Sequence, residues 1–178
     1  GIIKNSGMKL KAEYAHFDIN SADLTNDYSH KNGCCCGEII AGTKNVHGKG
    51  VTLKVSDSTH TAAPGENENI YILHDADLLM IVNELRDAGA EAISINDERI
   101  TAISEIRCVG NVVNINNVKV GTPFIINAIG DPDTLESALL FRGGIISQLA
   151  VMGFELDIKK QEEVTIPAYK GAINFKYA

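Results

Sequence analysis

Three features of this 178-residue chain predict an α+β domain: a mixed β-sheet with β-α-β units and a hairpin meander, and helices mainly on one face. The first is an alternating strand followed by a capped amphipathic helix and a second apolar run, spanning residues 51–96. The second is a series of two-residue turn signals between residues 97 and 129. The third is Asp131-Pro132-Asp133, a strong helix start placed before the closing strands. Two β-α-β passes around a meander make a ferredoxin-like arrangement with extra hairpins the expected topology.

Residues 1–40 read as an N-terminal arm or short helical spacer, and 41–178 as the globular domain. In the arm, Leu10, Tyr14, Phe17, Leu24 and Tyr28 fall on a heptad-like seam with Ser21 in its gap. Three heptads do not establish a coiled coil, so a stalk or dimerising segment and a loosely ordered arm both stay open. Gly33 and Gly37 end the segment.

Val51, Leu53 and Val55 alternate with Thr52, Lys54 and Ser56, which gives a strand with one buried face. The preceding AGTKNVHGKG fails as a phosphate loop, because its spacing is one residue too long, Gly50 replaces the hydroxyl residue, and a strand follows. Its glycines are expected to let the backbone turn tightly into the strand. Residues 57–69 form a polar loop turning at Pro64-Gly65.

A helix then runs from Asp75, read as the N-cap, to about Ala88. Leu78, Leu79, Ile81, Val82, Leu85 and Ala88 share its apolar face, Asp77 complements the dipole, and Gly89 stops it. AEAISIN follows as a buried strand, expected to run parallel to the first through a right-handed crossover. Asp97-Glu98, Gly110-Asn111 and Asn116-Asn117 are turn candidates separating strands near 99–109, 112–115, 118–120 and 123–129. The last of these has apolar residues on both faces, Phe124, Ile126 and Ala128 against Ile125 and Ile129, so it is expected to be central. The second helix starts at Pro132, is interrupted by Gly143-Gly144 and resumes through IISQLAVMG. Strands at 154–158 and 164–166 close the domain.

A net charge of −7 and a pI near 5.2 exclude a nucleic-acid binder of the usual kind, since the sixteen Lys and Arg are scattered and the longest basic run is Lys159-Lys160. No window approaches the roughly 20 apolar residues needed to span a bilayer. The chain starts with Gly rather than Met, so we expect a processed or engineered fragment whose membrane segment lay upstream. Cys34, Cys35 and Cys36 are adjacent, a spacing that suits zinc poorly, and neither metal nor cofactor is expected. Cys108, with no His near it in sequence, is expected to be a small buried hydrophobe.

HDADLLMIVNELRDAGAEAISIND, RITAISEIRC, AIGDPDTLESAL, VTIPAYKG and the terminal KYA, in that order, resemble the bacterial domain of unknown function 881 family from about Gly48 to Ala178. The resemblance implies a protein with an N-terminal membrane helix, a helical spacer and an extracytoplasmic globular domain, associated with cell division or sporulation. It carries no catalytic residue set. The spacer here departs from the family's longer Glu/Lys-rich helix, being short, Asn/Asp-rich and marked by CCC.

Three functions compete. A hydrolase would use His74 as base, Asp75 or Asp77 to orient it, and Arg99 or Arg107 to stabilise developing charge. A sensor for a small anionic or glycan-type ligand would place His74, Asn83, Asn96, Arg99 and Arg107 around a polar rim. The favoured reading is a non-catalytic interaction or scaffold domain, with protein partners at the membrane or cell envelope and homodimerisation open. Caps and turns explain the acidic and amide residues as well as chemistry does. Phe141, Ile145 and Ile146 around the glycine pair mark a candidate contact surface.

Overall fold

The computed structural model describes residues 36–60, 63–174 and 176–177. The heptad seam, Cys34 and Cys35 lie outside them. In chain order the elements are α1 (Cys36–Ala41), β1 (Val46–Ser58), a 3-10 turn (Glu68–Tyr71), α2 (Asp75–Asp87), β2 (Ala92–Ile95), β3 (Glu98–Ile100), β4 (Ile106–Val109), β5 (Val112–Ile115), β6 (Val118–Val120), β7 (Phe124–Ile129), α3 (Pro132–Leu139), α4 (Ile145–Val151) and β8 (Phe154–Ile166). The chain thus folds as an α+β domain of antiparallel strands and a helical layer.

The main sheet has the order β3-β2-β7-β1-β8, and β4-β5-β6 form a second, three-stranded sheet. β1 and β2 run in the same direction, as expected for a crossover through α2, but they are not neighbours. β7 lies between them and pairs antiparallel with both. The β7-to-β8 crossover through α3 and α4 is split in the same way, by β1. β7 is the middle strand, as its two-faced apolar pattern predicts. Its second face is covered unevenly: Ile129 is buried, whereas Ile125 and Asn127 are half-buried.

The core lies between the sheet and the helices. Leu78, Ile81, Val82 and Leu85 of α2, Leu135 and Leu139 of α3, and Ile145, Ile146 and Leu149 of α4 pack on Val51, Leu53, Val55, Ile93, Ile95, Phe124, Ile126 and Ala128. Ile106, Val113, Ile115 and Val120 add the small sheet to the same cluster. A minor cluster of Ala92, Ile129, Val164 and Ile166, with Val46, occupies part of the opposite face. Leu79 departs from the expected apolar face: it is 42% exposed, because the buried stripe of α2 is narrower than that face.

Four boundaries differ from the sequence expectation. β1 begins at Val46, so Gly48 and Gly50 lie inside the strand rather than in a turn before it. A Cβ at Gly50 would sit 1.9 Å from the Ala128 carbonyl oxygen, so the glycine permits close approach of β7. The first hairpin turn is Asn96-Asp97, both with positive φ, one residue earlier than Asp97-Glu98. Glu98 pairs with Ile95 and is buried. The run expected as one strand over 99–109 breaks at 101–105, where Ser104 hydrogen-bonds Thr101 and the Arg99 carbonyl. Finally, β8 is one strand, with an irregularity where Glu162-Glu163 oppose Lys49 alone.

Candidate functional site

The N-terminus of α2 is where the chain gathers its chemistry-bearing groups. Helix capping accounts for half of them. The cap is His74 rather than Asp75: the His74 N–H donates to Asp77 Oδ2 at 2.9 Å, and the Asp77 N–H returns a bond to the His74 carbonyl. Asp75 is displaced one position inward, and its Oδ1 accepts from the Ala76 N–H at 2.9 Å.

The other half is a tie to the small sheet. Asp75 Oδ2 accepts the Cys108 N–H at 2.8 Å, and the Asp75 N–H donates to Cys108 Sγ at 3.2 Å. His74 Nε2 lies 2.8 Å from the Asn69 carbonyl oxygen, which can only accept, so in the neutral ring Nε2 carries the proton. Nδ1 is then the acceptor facing Cys108 Sγ at 3.7 Å. Cys108 is therefore not a buried hydrophobe but an exposed free thiol beside an imidazole.

A thiol between an imidazole and a helix N-terminus has the parts of a nucleophile. The surrounding charge opposes that use. Desolvation pushes the Cys108 thiol up, and the Asp75 and Asp77 carboxylates add to this, against a lowering by the hydrogen bond with the Asp75 backbone. The carboxyl of Asp75 is held below its ordinary range, first by the Cys108 N–H, then by the thiol, Ala76 and His74. At neutral pH the arrangement is a carboxylate and a protonated thiol, joined by reciprocal hydrogen bonds that fasten β4 to α2.

The remaining candidate residues are distributed among separate elements. Asn83 is exposed on α2. Asn96 bridges the hairpin to β7, accepting from the Ile125 N–H at 2.8 Å and donating to the Pro123 carbonyl at 3.1 Å. Arg99 is only 2% exposed, and its guanidinium donates to the Ile39 carbonyl of α1 at 2.9 Å. Arg107 is exposed beside Cys108, but strand alternation sends its side chain to the opposite face of β4. The structure thus joins His74 to Cys108, a partner that lies 34 positions away and had no local signal.

Opposite the helices, Arg99, Ser94, Asn127 and Thr52 form a row across four strands. Thr52 donates its hydroxyl to Asn127 Oδ1 at 2.8 Å, while Ser94 Oγ is fully buried and makes no hydrogen bond among the described residues. Beside this row, Glu98 is buried and accepts from Lys170 Nζ at 2.6 Å, which secures the C-terminal segment. Among the described residues, no group of three or more His, Cys, Asp or Glu side chains is arranged to hold a metal ion. No helix among them is long and apolar enough to cross a membrane.

Fold and site together define an α+β domain whose polar clusters serve as caps, turns and inter-element ties. Residues 37–178 match the family described as bacterial protein of unknown function (DUF881), and the chain belongs to that family. It is 38% identical to the UPF0749 protein YlxW of Bacillus subtilis over 123 residues, 69% of this chain and 53% of that protein. It is 28% identical to the UPF0749 protein Rv1825 of Mycobacterium tuberculosis over 144 residues, 79% of this chain and 46% of that one. The chain therefore spans about half the length of these curated relatives. The crystal structure of an uncharacterized conserved protein from Mycobacterium tuberculosis superimposes with a TM-score of 0.67 at 27% identity, covering 80% of this chain and 95% of that one.

Proposed function

We propose that this is a non-catalytic interaction or scaffold domain of a membrane-anchored bacterial protein, held on the extracytoplasmic side and working with envelope proteins in division or sporulation. The observation that carries the reading is the engagement of His74, Asp75, Asp77, Asn96 and Arg99 in caps, turns and ties between elements. A second feature supports it. The loop after α3 presents Leu140 and Phe141, the latter 67% exposed, while Ile145 and Ile146 beside it are buried in the core. Of the three residues expected at a contact surface, only Phe141 is thus available to a partner.

The test is complementation in a strain lacking its own copy, scored by growth and septum spacing. Phe141→Asp should fail to restore the phenotype while the purified variant keeps its melting temperature. Full rescue by Phe141→Asp would remove the contact surface from the account. In intact cells, a membrane-impermeant maleimide should label Cys108 in a variant with Cys34, Cys35 and Cys36 changed to Ser. Labelling only after lysis would refute the extracytoplasmic placement.

A further inference from the structure

The edge strand β8 carries an observation independent of the scaffold reading. β8 ends the main sheet, and among the described residues only β1 pairs with it. Two irregularities, between Ser56 and Ser58 and between Gly48 and Gly50, bracket a regular stretch from Glu155 to Gln161. These seven residues are long enough for an ordinary strand pairing. At their centre is Ile158.

The two faces of this stretch differ. Leu156, Ile158 and Lys160 lie opposite Val55, Leu53 and Val51, on the helix face, where Leu156 and Ile158 are only partly covered by the core. Glu155, Asp157, Lys159 and Gln161 lie on the other face, opposite Ser56, Lys54, Thr52 and Gly50. Within one copy, Lys159 already bonds Asp157 at 2.7 Å, and both side chains remain more than half exposed.

The geometry points to a second copy of this chain as the partner of β8, added antiparallel about a two-fold axis through Ile158. An axis perpendicular to the sheet keeps the faces matched, so each residue meets one of the same parity. Ile158 then meets the second copy's Ile158. Asp157 meets the second copy's Lys159, and Lys159 its Asp157. Leu156 lies against the stem of the second copy's Lys160, and Glu155 faces Gln161. No like charges oppose each other. Moving the axis to Asp157 sets carboxylate against carboxylate, and moving it to Lys159 sets ammonium against ammonium. Charged edges ordinarily repel a second strand. This edge is self-complementary in one register; β8 starts at Phe154, and its own bulge at Glu162-Glu163 ends the regular stretch on the other side. The product is a continuous ten-strand sheet with both helical layers on the same side.

Sedimentation equilibrium of the 178-residue chain in low salt tests this, with Asp157→Lys, Lys159→Asp and the double exchange. All the changed side chains are exposed, and melting curves verify the fold of each variant. The wild-type chain should form dimers, each single variant should weaken association by about tenfold or more, and the double exchange should restore it. Amides of residues 155–161 should gain hydrogen-exchange protection as concentration rises. A strictly monomeric wild-type chain, or a dimer equally stable in all four proteins, would overturn the proposal.

Discussion

Replacing Asp75 by Ala removes the carboxylate that joins α2 to β4. It deletes the acceptor for the Cys108 N–H and for the Ala76 N–H. Hydrogen bonds to a charged acceptor contribute about 1.5–3 kcal/mol when buried. The half-buried setting of Asp75 lets solvent screen part of this, leaving about 1–2 kcal/mol. For a domain of this size that is a fall in melting temperature of roughly 2–8 °C. The sign with pH follows from the lowered carboxyl. Its stabilisation is complete above the ordinary carboxylate pKa, near 4, and is lost as pH falls through the lower, folded value. Urea unfolding of wild type and variant should therefore show a gap at neutral pH that closes as pH falls below the ordinary carboxylate range. A variant as stable as wild type at neutral pH, or more stable, would refute the reasoning. Stabilisation on removal is the behaviour of strained functional groups rather than of structural ties.

Four further outcomes follow from the same geometry. Gly50→Ala should destabilise by more than about 3 kcal/mol in urea unfolding, because its Cβ would meet backbone of the central strand rather than a movable side chain. Ser94→Ala should be neutral or stabilising by up to about 1 kcal/mol, since it removes a buried hydroxyl that makes no hydrogen bond. Lys170→Ala should cost about 1–3 kcal/mol by leaving the buried Glu98 carboxylate without its ammonium, and should raise exchange of the C-terminal amides. Asp75→Asn should move the pH profile of Cys108 alkylation to lower pH, because the carboxylate helps hold the thiol pKa up; an unchanged profile would contradict this.

What could be read from the sequence was local. α2, β2 and β7 follow from apolar period, caps and turn residues within a few positions of one another. The Asn116-Asn117 turn is found where expected, with positive φ at both residues. The one-residue slip at Asn96-Asp97 arose because Asn and Asp serve a tight turn equally well, so local chemistry could not decide between adjacent pairs. The start of β1 carries no strand pattern, because Val46 to Gly50 is polar and glycine-rich, and among the described residues Val46 to Gly48 pair with β8 but not β7. β8 reads as two strands in the sequence because Glu162-Glu163 interrupt its alternation. The site was harder still. His74 and Cys108 meet only because the small sheet docks on the end of α2, and Arg99 is buried by α1, which precedes it by some sixty residues.

The central claim is that the groups at the start of α2 hold elements together and do not react. Its most direct test is the paired substitution His74→Gln with Cys108→Ser, expressed in place of the native protein. Full rescue of growth and septum spacing is expected, with a modest fall in melting temperature. Loss of rescue by a variant whose hydrogen-exchange pattern matches wild type would contradict it, and would make the thiol and imidazole reagents.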